Sequence, residues 1–424
     1  MCVSSSFITM SSNPVTEDGT IRNFDPHVAT SMDKQEPPAP GDDFRLVFVG
    51  AGNINFGCDE GKWNHSFRLE HKLGPRLKVM ALIDPAKERA EQVLEVKRGS
   101  FVLSAYRDTK IYSNLQEYLA TVTPETRPHA FWVGSPPAFR GRIEPGRNCE
   151  MVVADALPGV GMFVEKPVST GPVDELMRVS SYIQGRLGPL SVGYMLRYLK
   201  VVQKMKQIIS ENHLQVMAVN ARYIMAYEHL AKLWWWNKEE SLGPVIEQAT
   251  HFCDLARYFG GEVDLDTVVA HSVEHYEAPG RLSKLSAPEH EVPPENRIPR
   301  VSSATWKYTS GAVGSLMHVV ALHNTDFSTA LDVFADGYSL RLVDPYNNPT
   351  LFVRRPGDDG EEMYRYTDDD PFFSEVSAMV DCIDHGTSAA PILSSYEDAA
   401  HTYALTWAIR RATEKSAAEH AKRT

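Results

Sequence analysis

An apolar run that breaks into a glycine turn is the feature that most constrains the fold of this chain. Residues 44–49 (Phe-Arg-Leu-Val-Phe-Val) have the pattern of a buried strand, and Gly50 and Gly52 follow directly. Glycines in such a turn let backbone N–H groups approach a phosphate at the start of the next helix. We therefore predict a dinucleotide site with contacts from Gly50, Gly52, Asn53 and Ile54. The third glycine of the usual pattern is replaced by Asn55, so the glycines could also form only a tight turn.

A second predicted strand, residues 77–83, ends at Asp84. A carboxylate at this position accepts hydrogen bonds from the adenosine ribose, and its charge repels a 2′-phosphate. Asp84 therefore favours NAD over NADP. The spacing from Gly50 to Asp84 is longer than the roughly 20 residues of the standard unit. The alternative is that Asp84 only forms a turn at the strand end.

Two later strands end in turns that carry polar groups. Residues 130–134 lead into Ser135-Pro136, and the apolar run 160–164 leads into Glu165-Lys166-Pro167. Four strands with helical spacers predict a doubly wound α/β sheet. Ligands of such sheets bind beyond the carboxyl ends of the strands, so an amine at this position would face the ligand. Taken alone, the Glu-Lys-Pro motif also fits a surface turn.

A helix is predicted over residues 244–260, because Gly-Pro opens it and Gly-Gly closes it. Its apolar residues recur at intervals of three and four. Glu247, His251 and Asp254 fall at positions i, i+4 and i+7, so three titratable groups share one face. On an arbitrary amphipathic helix such a face is an ordinary polar surface.

Together these motifs resemble the Gfo/Idh/MocA family, which includes glucose-fructose oxidoreductases and inositol dehydrogenases. The glycine turn, Ser135-Pro136, Glu165-Lys166-Pro167 and the 244–260 helix occur in the family's order. Residues 194–198 are similar to its Arg-bearing strand at the domain crossover. The resemblance covers most of the chain.

The resemblance implies an α/β fold with an N-terminal doubly wound Rossmann domain, residues 43–197. A C-terminal α+β domain, residues 198–424, is expected to have a large open, mainly antiparallel sheet, with terminal helices packing back on the fold. Residues 1–42 are rich in Ser, Pro and acidic residues and are predicted to be a disordered leader.

The resemblance also implies roles for individual residues. His251 would accept the proton of a substrate hydroxyl, since the ordinary pKa of imidazole lies near working pH. Lys166 would bind the substrate oxygen and stabilise negative charge on it. Glu247 would orient or polarise His251. It stands where the family has Asp, so substrate geometry or the reaction itself could differ. Asp254 either holds substrate hydroxyls or supports the helix. Further implied contacts are substrate binding by Tyr194 and cofactor binding by Ser135, Pro136, Glu165, Lys166 and Arg197.

Three consecutive tryptophans, residues 234–236, precede the predicted helix and cannot all face one core. At least one is expected to line a cleft where it stacks on a sugar ring, or else a subunit interface. We predict substrate contacts from Trp236, Asn237 and Lys238. His271 and His275 lie in a strand-like segment with the wrong spacing for a shared metal, so no metal site is predicted.

Charge and cysteine content narrow the class of partner. The chain has 43 Lys and Arg against 55 Asp and Glu, for a formal net charge of −12, which argues against binding to nucleic acid or an anionic membrane. Its 5 cysteines show no paired spacing, and no apolar stretch reaches the length of a membrane span. We expect a small-molecule substrate, a cytoplasmic location and, from the resemblance, a homo-oligomer that pairs through the C-terminal sheet.

The predicted function is that of an NAD-dependent oxidoreductase, with NADP also possible. It would transfer hydride between nicotinamide and a secondary alcohol or ketone of a sugar, a cyclitol or a related polyhydroxylated substrate. The alternative is a redox-neutral enzyme on the same scaffold: an NAD-dependent glycosidase, a lyase or an isomerase. A binding module without activity is least favoured, because Lys166 and His251 are both retained.

Overall fold

The computed structural model describes residues 41–58, 62–357, 359–388 and 390–423. The predicted disordered leader lies outside the described residues except for its last two positions. The described chain forms two sheets, one from each half of the sequence. Within the described ranges, no helix combines the length and the apolar character needed to span a membrane.

The first sheet has six parallel strands in the order β3-β2-β1-β4-β5-β6. Their bounds are β1 Phe44–Val49, β2 Leu77–Ile83, β3 Lys110–Tyr112, β4 Ala130–Val133, β5 Gly161–Val164 and β6 Leu190–Val192. The order reverses direction between β1 and β4, which is where doubly wound sheets bind their ligands. The predicted doubly wound sheet is confirmed. β3 and β6 were not predicted, because three-residue strands carry too little periodicity.

Helices cover both faces of this sheet: α1 Asn53–Phe56, α2 His65–Leu73, α3 Lys87–Arg98, α4 Leu103–Tyr106, α5 Leu115–Leu119, α6 Cys149–Ala156 and α7 Val173–Ile183. Because strand side chains alternate between faces, Val47 and Phe131 pack in one core with α5, α6 and α7. Phe48 and Trp132 pack in the other core with α2 and α3. The sheet is therefore buried on both sides.

The chain leaves the first sheet through a short 3-10 helix, Met195–Tyr198, and then enters helix α8, Lys200–Glu211. The prediction of a strand over residues 194–198 is wrong. Strand β6 ends at Val192, and a 3-10 turn follows it, with Arg197 N–H donating to the Tyr194 carbonyl. The predicted domain limits near this crossover remain a proposal.

The second sheet has eight strands in the order β14-β13-β12-β11-β7-β10-β9-β8. Their bounds are β7 Val216–Ala226, β8 Val263–Val273, β9 Val301–Tyr308, β10 Val313–Leu322, β11 Ser328–Ala335, β12 Tyr338–Val343, β13 Thr350–Arg354 and β14 Glu362–Arg365. Every pairing is antiparallel except that of β7 with β10. The predicted open, mainly antiparallel sheet is confirmed.

The remaining helices are α9 Leu233–Trp236, α10 Lys238–Ser241, α11 Pro244–Glu247, α12 Thr250–Gly260, α13 Pro371–His385 and α14 Tyr396–Ala421. The single helix predicted over residues 244–260 is wrong in one respect. The N–H groups of Gln248 and Ala249 both donate to the Pro244 carbonyl, which forms a wide turn and breaks the helix. α14 joins the cores of both halves, and α13 packs on the first sheet. The two terminal helices thus pack back on the fold.

Candidate active site

The glycine turn lies between β1 and α1, directly against the turn after β4. Gly50 has φ +96°, and a Cβ atom there would lie 2.8 Å from the backbone nitrogen of Ser135. Only glycine fits this close approach. Asn55 explains the missing third glycine: its amide donates to the Gly50 carbonyl at 2.8 Å, and a Cβ on Gly134 would lie 2.6 Å from the Asn55 side chain. The structure therefore brings the predicted glycine turn and Ser135-Pro136 together.

Asp84 reaches the glycine turn from the end of β2. Its Oδ2 accepts a hydrogen bond from Ala51 N at 2.7 Å, and its Oδ1 accepts one from Ala86 N at 2.8 Å. Arg89, on α3, was not predicted. Its Nε donates to the Ala51 carbonyl at 2.9 Å, and its Nη2 donates to Asn53 Oδ1 at 2.7 Å. The turn is thus held by a carboxylate and a guanidinium. No spacing in the sequence indicates the second of these.

The Glu165-Lys166-Pro167 turn follows β5 at the same edge of the sheet. The Glu165 carboxylate accepts from Lys166 N at 3.0 Å through Oε2 and contacts His65 Nε2 at 2.6 Å through Oε1. The Lys166 ammonium donates to the backbone carbonyl of Glu247 at 3.1 Å. The predicted lysine therefore reaches the segment that carries the predicted carboxylate and histidine.

His251 lies on the first turn of α12 and is only 8% exposed. Its ring meets the rings of Tyr194 and Tyr346 edge to face, with centroids 5.8 and 6.1 Å apart. No described residue bonds to its Nδ1. Burial, and then the positive charge of Lys166, lower the pKa of His251 well below its ordinary value of 6.5. The imidazole is therefore neutral at pH 7 and can accept a proton.

Glu247 lies one turn before His251 and is held by an aromatic residue that was not predicted. Trp235 Nε1 donates to Glu247 Oε2 at 2.9 Å. Burial raises the pKa values of Tyr346 and Tyr223, and the negative charge of Glu247 raises them further. Both phenol groups therefore stay protonated around the carboxylate. His318 stacks on Tyr223 with centroids 5.4 Å apart.

The neighbour of Glu247 is also anchored. Gln248 Oε1 lies 2.8 Å from His318 Nε2, and burial lowers the pKa of His318 to about 3. A neutral His318 therefore donates to Gln248. Tyr223, His318 and Tyr346 lie far from His251 in sequence, so only the pairing of strands brings these aromatic side chains to the site.

Arg197 and Asp254 form an ion pair with each other rather than facing an open cleft. Arg197 Nε and Nη2 each lie 2.7 Å from the Asp254 carboxylate, and both side chains are almost fully buried. Burial alone would lower the pKa of the Arg197 guanidinium, but the charge and hydrogen bonds of Asp254 outweigh it and raise the pKa. Asp398 also pairs with Arg197. Of the two roles left open for Asp254, this geometry matches support of the helix.

The residues before α11 make mainly local contacts. Trp236 is fully buried, and its Nε1 donates to the Leu230 carbonyl at 2.9 Å. Asn237 caps α10 by accepting from Glu239 N at 3.0 Å, and Lys238 is the first residue of that helix. The predicted substrate contacts of Trp236, Asn237 and Lys238 stay predictions, as do the cofactor contacts of Ile54, Pro136, Glu165 and Arg197.

Two family models match the chain, one in each half. Residues 44–194 match the model described as the oxidoreductase family NAD-binding Rossmann fold, GFO_IDH_MocA. Residues 197–338 match an oxidoreductase C-terminal domain. An uncharacterised protein of Schizosaccharomyces pombe is 41% identical over 395 residues, which are 93% of this chain and 97% of the relative.

Solved structures share the fold at low identity. A levoglucosan dehydrogenase in complex with NADH and levoglucosan has a TM-score of 0.67 and 15% identity, over 88% of this chain and 98% of that chain. KijD10, a 3-ketoreductase from Actinomadura kijaniata in complex with NADP and TDP-benzene, has a TM-score of 0.62 and 14% identity, over 88% and 98%. Both cofactors therefore occur on this fold.

Proposed function

The chain belongs to the Gfo/Idh/MocA family of NAD(P)-dependent oxidoreductases, and we propose that it transfers hydride between nicotinamide and a secondary alcohol or ketone of a polyhydroxylated small molecule. Sugars, cyclitols and related compounds are the substrate class. The observation that carries the proposal is the meeting of Lys166 with the Glu247–His251 segment at the carboxyl edge of the parallel sheet. A proton acceptor and a cation then face the place where the nicotinamide would lie.

The chain's own residues fit the cofactor. Gly50 leaves room that a Cβ atom would fill, Gly52 directly precedes α1, and Asp84 stands at the end of β2. We propose that the glycine turn and Asn53 hold the pyrophosphate and that Asp84 holds the adenosine ribose. The charge of Asp84 favours NAD over NADP. When bound, the nicotinamide would accept hydride from the substrate carbon or return it.

His251 is the acid-base residue in this proposal. The imidazole is neutral because burial and Lys166 lower its pKa, so it takes the hydroxyl proton as the substrate carbon is oxidised. The Lys166 ammonium hydrogen-bonds the same oxygen and stabilises the negative charge that develops on it. Glu247, fixed by Trp235, orients the substrate beside His251. In the direction of reduction the same groups return the proton.

Aromatic walls around the acid-base groups support a ring-shaped polyhydroxylated substrate. Tyr194, Tyr223 and Tyr346 surround Glu247 and His251. Aromatic faces bind the C–H face of a ring, while phenol groups donate to hydroxyl oxygens. The structurally similar levoglucosan dehydrogenase, which was solved with NADH and levoglucosan, is consistent with this class.

A substrate panel tests the proposal. Purified protein is incubated with sugars, anhydrosugars and cyclitols plus NAD⁺ or NADP⁺, and with the matching ketones plus the reduced cofactors, while nicotinamide absorbance is followed. The proposal predicts net formation or consumption of reduced cofactor with at least one compound, and loss of that signal in His251→Ala. Cleavage of a glycoside without net reduced cofactor would instead identify the redox-neutral alternative.

The predicted homo-oligomer is also a proposal. The face of the second sheet opposite the helices exposes Val313, Met317 and Phe334. Asp332, paired in register with Arg341, lies among them. We propose that a second copy covers this face, as the family resemblance implies. Light scattering of the protein and of Met317→Glu tests it, because a charge on the covered face would dissociate the oligomer. The cytoplasmic location stays a prediction.

A further inference from the structure

His65 is a buried titratable residue that the proposed mechanism does not use. It is the first residue of α2, and its side chain is 0% exposed. Its ring forms edge-to-face contacts with three aromatic rings, those of Trp132, Phe163 and Phe372, with centroids between 5.0 and 6.1 Å away. Its Nε2 lies 2.6 Å from Glu165 Oε1. The contact joins two segments that are far apart in sequence.

Glu165 uses its two carboxylate oxygens in different directions. Oε1 contacts His65, and Oε2 accepts from the backbone N–H of Lys166 at 3.0 Å. The backbone carbonyl of Glu165 accepts from Arg140. Gly193 closes the remaining side, because a Cβ there would lie 2.7 Å from Glu165 Oε2. The Glu165 carboxylate therefore sets the orientation of the Glu165–Lys166 peptide, and His65 holds the carboxylate in place.

The beginning of α2 is itself held firmly. Asn64 caps the helix by accepting from Phe67 N at 2.9 Å, and its amide donates to the Phe56 carbonyl at 3.3 Å. Arg68 donates to the carboxylate of Asp370 through Nε at 2.8 and 3.0 Å. His65 thus projects from a helix end that is tied both to the glycine-turn helix and to the segment before α13.

We propose that His65 is a positioning residue: by holding Glu165, it directs the Lys166 ammonium group to the substrate site. The inference rests on the proposed role of Lys166. His65 does not touch the reacting atoms, and it acts only through the Glu165-Lys166 peptide. Loss of the contact frees the Glu165 carboxylate to rotate, and the ammonium group then loses its fixed position.

The kinetic test uses His65→Leu, which removes the donor, and His65→Gln, which places an amide nitrogen near the position of Nε2. His65→Leu is expected to lower kcat by about 10- to 100-fold, the size of effect that a small misplacement of a catalytic group produces, with the KM for the cofactor changed by less than about twofold. His65→Gln is expected to restore most of the rate. The matched control is His71→Leu, a histidine on the same helix whose ring contacts Phe373 instead.

A double variant separates positioning from general damage. If His65 acts through Lys166, His65→Leu has no further effect on the residual rate of Lys166→Ala. The same fold loss in both backgrounds would overturn the proposal, and so would an unchanged kcat in His65→Leu. If His65→Leu fails to fold, the comparison is made with His65→Asn, whose shorter amide does not reach Glu165 and which should behave like the leucine variant.

A second readout does not depend on turnover. Lysine amines are labelled by reductive ¹³C-methylation, and the Lys166 signal is identified by its absence in Lys166→Arg. His65→Leu is expected to shift this signal, whereas His65→Gln and His71→Leu leave it in place. An unshifted signal in His65→Leu would contradict the proposal even if no substrate is found. Absence of turnover by the unaltered protein would instead count against the proposed function alone.

Discussion

The ammonium group of Lys166 donates a hydrogen bond to the backbone carbonyl oxygen of Glu247, 3.1 Å away. Lys166 follows β5 of the first sheet, and Glu247 is the last residue of α11 in the second half of the chain. The contact therefore joins the two halves at the site where the proposed acid-base residues lie. In the proposed reaction, the Lys166 amine already points towards the Glu247–His251 segment when a substrate oxygen enters the site.

Removing the amine should abolish most of the activity while the fold survives. Lys166→Met is expected to lower kcat by about 10²- to 10³-fold, the loss typical of a group that stabilises charge on oxygen. Lys206→Met is the matched control, because the Lys206 amine also donates to a backbone carbonyl, that of Tyr258 at 2.8 Å. Steady-state kinetics check both, and equal losses in the two variants would argue against a catalytic role.

His251 gives the reaction a defined dependence on pH. Its folded pKa lies well below 6.5, and only the neutral imidazole accepts a proton. The rate of alcohol oxidation should therefore show no loss from protonation of His251 as the pH falls from 8 to about 6.5. ¹H NMR titration of the His251 ring checks the sign: Lys166→Met should move the titration to higher pH, because a nearby positive charge has been removed. A midpoint at or above 6.5 in the unaltered protein would contradict this account.

The Trp235–Glu247 hydrogen bond should matter for turnover. Trp235→Phe keeps most of the ring but removes the N–H, and a hydrogen bond to a charged group contributes about 1.5–3 kcal/mol. We expect kcat/KM to fall about 10-fold. Because Trp235 acts through Glu247, the loss in Trp235→Phe combined with Glu247→Ala should be smaller than the product of the two single fold losses. Trp234→Phe, at the exposed neighbouring tryptophan, is the control and should leave kcat/KM unchanged.

Asp254 should act on stability rather than on catalysis. Asp254→Ala leaves the Arg197 charge buried without its main partner, which typically costs about 3–5 kcal/mol. Urea denaturation should show this loss, and the exposed Asp266→Ala should show almost none. If Asp254→Ala instead raised the substrate KM strongly at unchanged stability, the substrate-binding role would be the correct one.

Glu375 should make the folded state less stable as the pH rises. This side chain is fully buried, and neither carboxyl oxygen has a hydrogen-bond partner in the described part of the chain. Burial, and then the negative charges of Glu165 and Asp254, raise its pKa well above 4.5. The folded state therefore binds this proton more tightly than the unfolded state. The associated stability is complete below pH 4.5 and is lost as the pH rises towards the folded pKa.

Glu375→Gln isolates that contribution, because the amide has nearly the same shape and does not ionise. Denaturant titrations at pH 5 and pH 8 should show a smaller loss of stability over this interval in Glu375→Gln than in the unaltered protein. Equal losses would mean that Glu375 does not stay protonated in the folded state.

Much of the first half could be predicted, because its candidate binding residues lie directly after the ends of strands. The apolar runs before Gly50, Asp84, Ser135 and Glu165 mark β1, β2, β4 and β5, and parallel strands bring such ends to one edge. Strands β3 and β6 were not predicted, because three residues are too few to show a periodicity. The break before α12 was not predicted, because the spacing of apolar residues does not reveal a wide turn in the backbone hydrogen bonding.

The second half of the site depends on contacts that no local pattern records. Trp235 could be suspected from the run of tryptophans, but the residue that binds Glu247 is not the one predicted to contact substrate. Tyr346 lies between β12 and β13, and its position beside His251 follows from strand order alone. Arg197 is buried with Asp254, because a charge that leaves water needs a partner nearby. The sequence shows both charges without showing that they pair.

Transfer of deuterium tests the central claim most directly. A substrate found in the panel is prepared with deuterium on the carbon that bears the reacting hydroxyl, and the nicotinamide product is examined by NMR. We predict reduced cofactor with deuterium at the C4 position of the ring, formed in equal amount with the ketone and lost in His251→Ala and Lys166→Met. Conversion of the substrate with no net labelled cofactor and no ketone would contradict it.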